Sequence, residues 1–285
     1  MRFPAPSFAT ELQHPLPSNR TLMMGIVNVT PDSFSDGGRW FGVNEAVEHA
    51  LDLVDQGADI IDIGGESTRP GSVRIDPAEE LGRILEVVST LVARGVVVSV
   101  DTINSETARA VCEAGAHIIN DVSGACWDPD MASVMAETDA VCVIQHWRGF
   151  PGAADEKILE KGSIDVVLNE VSKQVDRVIA AGVKPERIIV DPGLGFAKTV
   201  EASWEILAHT SELLERCPYP VLIGHSRKRF VQAIADDTIS VDDLTAAITT
   251  LVAAQGAWAV RVHEAKGNAA AIRAGTRWLR ATMEQ

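Results

Sequence analysis

Eight short apolar runs, separated by longer segments of helical period, most restrict what this chain can fold into. The runs are "LMMGIVNVT" (22–30), "DIIDIGGE" (59–66), "VVVSVDT" (96–102), "HIINDVSG" (117–124), "AVCVIQH" (140–146), "RIIVDPGLG" (187–195), "YPVLIGHS" (219–226) and "AVRVHEA" (259–265). Many are rich in Val and Ile, and a strand buried on both faces reads as such a continuous run. Between them lie amphipathic segments such as "NEAVEHALDLVDQG" (44–57), "DPAEELGRILEVVSTLVARG" (76–95) and "IDVVLNEVSKQVDRVIAAG" (164–182), each ending in glycine as helix C-termini often do. Strand and helix alternating eight times is the order of a (β/α)8 TIM barrel. The competing doubly wound sheet more often carries a G-x-G-x-x-G turn after its first strand, and none stands there. A length of 285 residues suits one such barrel. The expected layout is a flexible amino-terminal segment over 1–19 and a single domain over 20–285. Aromatic residues are only 5% of the chain against 46% hydrophobic overall, so aliphatic side chains must build the core.

The formal net charge of −15 argues against a nucleic-acid partner, whose binding rests on basic surface, and against an anionic membrane surface. It leaves room for a small anionic ligand, because a few local cations outweigh a distant net charge. No run approaches the roughly 18 apolar residues of a spanning helix. The amino end, "MRFPAPSFATELQHPLPSNRT", lacks the continuous apolar core of a secretion signal. Cys112, Cys126, Cys142 and Cys217 form no C-x-x-C pair and read as reduced thiols of a cytoplasmic protein.

In a barrel of this kind the chemistry sits where the strands end. Nearly every run here ends in a chemically able residue: Asn28, Glu66, Asp101, Asn120, His146, Asp191, Ser226, and the pair Arg261 and His263. Core packing does not explain that habit, since buried polar groups need partners. The glycine-rich loop at 64–72 therefore reads as a working loop. Asp101 and Asp191 have two readings, helix N-caps or acids facing one barrel mouth. Two carboxylates with the amide of Asn120 suit a flat heterocycle with an amino-pyrimidinone edge. Lys228 is either a solvated cation at a helix start or a partner for a ligand oxygen. Arg261 and His263, one residue apart on a strand, share a face; they are an outward polar pair or, with Arg69, an anion clamp. Asn28 either merely ends the first strand or supplies one oxygen to Mg2+, which often takes one or two protein oxygens plus substrate phosphates. "VTPDSFSDGGRW" (29–40) is a surface turn or a lid. "GLGFAKT" (193–199) lacks the phosphate-loop spacing and is not read as a nucleotide site. The carboxyl-terminal helical segment either closes the barrel or buries a face in a partner subunit.

Taken in order, "GIVNVTPDSFSDGG", "DIIDIGGESTRPG", "SVDT", "IINDVSG", "DPGLGFAKT", "SRKRF" and "RVH" resemble the dihydropteroate synthase family of pterin-binding barrels, over residues 25 to 263. The resemblance implies a TIM barrel that joins 6-hydroxymethyl-7,8-dihydropterin diphosphate to 4-aminobenzoate, giving 7,8-dihydropteroate and diphosphate in folate biosynthesis. It implies that Asp101, Asn120, Asp191 and Lys228 hold the pterin and that Asn28 binds Mg2+. It implies that Arg69, Arg261 and His263 hold the diphosphate. Thr68 and Phe196 are implied as substrate contacts, and the loops around Phe34 and Pro70 as closing over aminobenzoate. Lys228, Arg261 and His263 are the candidate catalytic residues, sulfonamides the implied inhibitors, and a homodimer the implied assembly. Gln145, His225 and Gln232 depart from the family's usual residues, whereas the polar site residues are retained. The nearest rival is a methyltetrahydrofolate-dependent methyltransferase, which needs no diphosphate clamp; a non-catalytic pterin binder is the rival of another class.

Overall fold

The structure, a computed structural model, describes residues 6–8, 12, 15–30, 39–66, 74–150, 152–154 and 156–283. Phe34, Thr68, Arg69 and Pro70 lie outside the described residues. The strands are β1 (Leu22–Asn28), β2 (Ile60–Gly64), β3 (Val98–Asp101), β4 (Ile118–Asp121), β5 (Val141–Gln145), β6 (Ile188–Asp191), β7 (Leu222–Ile223) and β8 (Ala259–Val262). All pairings are parallel, in the order β6-β5-β4-β3-β2-β1-β8-β7. A parallel bridge between Val190 and Val221 joins the two outer strands and closes the ring. The expected (β/α)8 barrel is the fold.

The helices are α1 (Arg39–Asp55), α2 (Pro77–Ala93), α3 (Ser105–Glu113), α4 (Met131–Glu137), α5 (Ile164–Ala180), α6 (Val200–Ala208), α7 (Thr210–Arg216), α8 (Arg229–Gln232), α9 (Val241–Gln255) and α10 (Lys266–Met283). Their limits are written locally. Asp76 caps α2 by accepting from the Ala78 N–H at 2.8 Å, with Pro77 at the first helical position. Ser163 caps α5 in the same way. At the other end Gly95 and Gly182 take positive φ (77° and 115°), a conformation that costs a residue with a Cβ. The last two helices pack very closely: a Cβ on Gly275 of α10 would come within 2.5 Å of the Thr250 carbonyl oxygen of α9.

Two apolar clusters result. The larger fills the layer between sheet and helices, with Ile61, Ile63, Val98, Val100, Ile119 and Ile144 pointing into it. The smaller fills the barrel itself, from Leu22, Met24, Ile60, Ile118, Val141, Val143, Ile189, Leu222 and Ala259. Phe8, Leu12 and Leu16 pack against this inner cluster. Both strand faces are therefore buried, which is why the strands read as continuous apolar runs.

Candidate active site

Successive side chains of a strand alternate between faces, so residues two apart share one. The inner cluster thereby fixes what faces the barrel axis further along each strand. From Met24 the inward series leads to Asn28, and from Ile60 to Asp62. It leads likewise from Ile118 to Asn120, from Ile189 to Asp191, and from Ala259 through Arg261 to His263. Register sets Asp101 beside Asn120, and Gln145 beside Asp191. The expected strand-end residues Asn28, Asp101, Asn120, Asp191, Arg261 and His263 thus converge on one mouth.

At its base Arg261 spans two acids. Its Nε donates to Asp62 Oδ2 at 2.6 Å and its Nη2 to Asp101 Oδ2 at 2.7 Å. Asn120 Nδ2 also donates to Asp62 Oδ2, at 3.1 Å. Asp62 is wholly buried, yet among the described residues its Oδ1 has no hydrogen-bond partner. Burial pushes the Asp101 carboxyl up to about 7, against the downward pull of Arg261; neighbouring Asp62 adds to the rise. Among the described residues, two of the five guanidinium N–H groups of Arg261 are engaged with these acids, and three remain. Neither N-cap reading survives: Asn104 occupies the cap position of α3, and Thr199 caps α6.

On the opposite wall Asp191 Oδ1 accepts from the Gly193 N–H at 2.6 Å. Burial raises its pKa, and Lys228 opposes that rise. Lys228, the residue before α8, turns its ammonium away from the helix start. It donates to the Leu194 carbonyl and lies 4.6 Å from the centroid of the Phe196 ring. Burial lowers Lys228 to about 8, with Asp191 holding it up. Gly224 keeps this corner open, since a Cβ there would sit 3.2 Å from Asp191 Oδ2 and 3.6 Å from Lys228 Nζ.

The third wall is His263. Ser226 Oγ lies 3.0 Å from His263 Nδ1 and accepts from the His263 backbone N–H at 3.3 Å. In one of the two neutral tautomers the Ser226 hydroxyl donates its proton to Nδ1. Nε2 then carries the ring hydrogen in the neutral imidazole. Acids, an ammonium, a guanidinium and an imidazole donor therefore share one rim.

The sequence profile of the pterin binding enzyme family matches residues 24–263. This chain belongs to the pterin binding enzyme family. Within that family it is 43% identical over 270 residues to the dihydropteroate synthase of Mycobacterium leprae, covering 91% of this chain and 94% of that protein. The Clostridium difficile dihydropteroate synthase, solved with pteroic acid, superposes with a TM-score of 0.82 at 37% identity, over 90% of this chain and 96% of that one. The Xanthomonas albilineans dihydropteroate synthase, solved with 4-aminobenzoic acid, has a TM-score of 0.80 at 36% identity, over 93% and 94% of the two chains.

Two further strand-end residues of this pterin-binding barrel are held by protein partners. His146 has the outward parity and is wholly buried, with Nε2 2.9 Å from Glu170 Oε2 and Nδ1 2.9 Å from Lys198 Nζ. Burial, with Lys198 and Arg148 nearby, pushes it down to about 2, so it is a neutral structural group. Glu66 is buried and ion-paired with Arg74 at 3.1 Å, and the Arg74 guanidinium stacks over the Phe150 ring at 3.6 Å. Gln145 faces inward, and its Nε2 donates to the Val122 carbonyl at 3.0 Å.

Sequence reading missed Asp62, Lys198 and Glu80. Asp62 lies mid-strand, and only the strand's parity, two residues before Gly64, could have exposed it. Lys198 directs its donors to His146 Nδ1 and to the carbonyls of Gly193 (2.8 Å) and Phe196 (3.2 Å), pinning the loop that carries Asp191 and Phe196. Glu80 of α2 accepts from Thr102, Asn104 and Thr107 through one oxygen and anchors the loop after Asp101.

Proposed function

We propose that this chain is a dihydropteroate synthase. It joins 6-hydroxymethyl-7,8-dihydropterin diphosphate to 4-aminobenzoate and releases 7,8-dihydropteroate and diphosphate. The observation that carries the reading is the convergence of Asp101, Asp191, Lys228, Arg261 and His263 on one mouth, in a chain 43% identical to a dihydropteroate synthase across nearly its full length. Asp191 accepts the parallel N–H donors of the amino-pyrimidinone edge. Lys228 donates to the pterin oxygen, with Phe196 packed beside it, and Asp101 and Asn120 bound the far edge of the ring. The three remaining N–H groups of Arg261 and the Nε2–H of His263 face the diphosphate, joined by Arg69. The loops carrying Phe34, Thr68 and Pro70 cover aminobenzoate.

The arylamine is unprotonated at neutral pH and needs no strong base. Its nitrogen forms a bond to the pterin methylene carbon as the carbon–oxygen bond to diphosphate breaks. The electron pair leaves with diphosphate, and the surplus amine proton passes to solvent. Positioning and electrostatic stabilisation of the departing anion supply the rate.

Mg2+ fits the donor set. Among the described residues there is no group of three or more His, Cys, Asp or Glu side chains suited to a metal. An ion that retains water and takes phosphate oxygens needs only one or two protein ligands, and Asn28 offers one at the rim. When bound, Mg2+ would neutralise charge on the diphosphate.

We also propose a cytoplasmic homodimer. Leu251 of α9 and Trp278 of α10 are 63% and 68% exposed on adjacent helices, a pairing that suits burial against a second copy. The four cysteines are free, and no helix among the described residues is long and apolar enough to cross a membrane.

The deciding assay is diphosphate release. It should require the pterin diphosphate, aminobenzoate and Mg2+ together. Ligand binding without release would make the chain a non-catalytic pterin binder. Light scattering should give twice the chain mass, and Trp278→Glu should give the monomer.

A further inference from the structure

A buried polar circuit runs behind the anion-facing wall and connects to both residues that build it. His225 follows Gly224 and precedes Ser226. Gly224 faces Asp191 inside the mouth, so His225 points outward, into the layer against α9. There its Nε2 lies 3.1 Å from the Thr245 carbonyl and 3.1 Å from Thr249 Oγ1. Thr249 Oγ1 donates to Asn268 Oδ1 at 2.6 Å, and Asn268 Nδ2 donates to the Glu264 carbonyl at 2.7 Å. Glu264 is the residue after His263. Inside the mouth, Ser226 and His263 are hydrogen-bonded to each other. The ring is closed: Ser226 to His225 along the chain, across α9 and α10 to Glu264, back along the chain to His263, and across to Ser226.

We propose that His225, Thr249 and Asn268 are positioning residues that hold the Ser226–His263 pair in its anion-binding geometry. The proposal rests on the reading of that pair as a diphosphate contact.

The donor directions are mutually consistent. Thr249 has spent its only proton on Asn268, so it accepts from His225, which must carry hydrogen on Nε2. Burial pushes the His225 imidazole down to about 4, against smaller upward contributions from backbone hydrogen bonds, so it stays neutral. The Asn268 amide then uses its oxygen toward Thr249 and its nitrogen toward Glu264. His225, Thr249 and Asn268 are each wholly buried. No water replaces a lost partner there, so each bond is costly to remove. His263 lies one residue past the end of β8, and Ser226 three past the end of β7, where the ladder no longer restrains the backbone. The circuit supplies that restraint from behind. The acids that face the ring, Asp101 and Asp191, stand on β3 and β6 and share no member with it.

The test separates anion binding from ring binding. Two probes are titrated into the full-length protein: inorganic diphosphate with Mg2+, and 6-hydroxymethylpterin, which carries no phosphate. Thr249→Val keeps the shape and removes the hydroxyl. It should weaken diphosphate about tenfold, the order of one lost buried hydrogen bond, and leave the pterin within about twofold. kcat/KM for the pterin diphosphate should fall by a similar factor. Thr249→Ser restores the hydroxyl and should restore both. Asn268→Asp keeps the acceptor for Thr249, loses the donor to Glu264, and should reproduce the selective loss should Thr249→Val fail to fold. Equal weakening of both probes, no weakening of either, or a Thr249→Ser as impaired as Thr249→Val overturns the proposal. A wild-type protein that binds both probes yet releases no diphosphate from its substrates would instead overturn the functional reading.

Discussion

Arg261→Met is the most informative single change, because among the described residues Arg261 alone spans two carboxylates at the base of the site. Asp62 is fully buried, and the Asp101 side chain is 7% exposed; Arg261 bonds them at 2.6 and 2.7 Å. Removing one partner of a buried pair costs about 3–5 kcal/mol, since the charge left behind is uncompensated. The Arg261 side chain is 19% exposed, so water softens the loss and the lower end of that range applies. The proton count makes the cost depend on pH. Without the guanidinium the downward pull on Asp101 is lost, so its carboxyl keeps its proton to higher pH in the folded state, while the unfolded chain releases it near pH 4. A folded state that binds more protons than the unfolded one loses stability as pH rises. At pH 5.5 Asp101, raised to about 7 in the wild type, holds its proton with or without Arg261, whereas at pH 8 the wild type ionises it against the guanidinium and the variant must bury that charge unpaired or keep the proton. By pH 8 the deficit should reach about 3 kcal/mol or more. Urea unfolding of both proteins at pH 5.5 and 8.0 measures it. A deficit that is constant or shrinks between those values refutes the reasoning. Arg261→Lys keeps the charge but cannot fork across two acids, and should lie between wild type and Arg261→Met in both stability and kcat/KM.

Other outcomes follow from the same geometry. Burial raises Asp101 to about 7. With the ionised form accepting from ring donors, affinity for 6-hydroxymethylpterin should climb about tenfold per pH unit toward pH 7, level off, and fall again above about 8 as Lys228 loses its proton. Asp101→Asn should flatten that profile, and a wild-type profile without a break near 7 contradicts the assignment. Gly224→Ala would place a Cβ 3.2 Å from Asp191 Oδ2, and should raise KM for the pterin substrate with little change in melting temperature. An unchanged KM would show the corner to be roomier than its distances. Lys198→Met strips partners from two carbonyls and from His146 Nδ1. It should cost about 1–3 kcal/mol and loosen pterin binding, read by melting and titration. Chelation of Mg2+ should stop diphosphate release while sparing pterin binding, and Asn28→Ala should raise the Mg2+ concentration needed for half-maximal rate; an Mg2+ requirement unmoved by Asn28→Ala removes Asn28 from that role.

Much of the site was legible because its residues stand at strand ends, where an apolar run meets a polar residue in the sequence itself. Asn28, Asp101, Asn120, Asp191, Arg261 and His263 were all found that way, and all six reach the mouth. Lys228 followed from its place after the seventh run, whereas Phe196 came only from the family resemblance. His146 met the same criterion and is nonetheless a buried structural group, while Asp62, mid-strand and apparently core, proves central.

Both the successes and the misses have one cause. Strands buried on two faces carry apolar residues at both parities, so the chain advertises its strands and their ends without saying which side points inward. Alternation and glycine helix termini are local, and the sequence alone determined them, together with the barrel they add up to. Direction is not local. Only closure of the sheet, through the Val190–Val221 bridge and the inner cluster from Leu22 to Ala259, decided that Asp62 and Arg261 look at each other and that His146 and His225 look away. A side chain's role here depends on the face it shares with seven other strands, and that face comes into being only when the ring shuts.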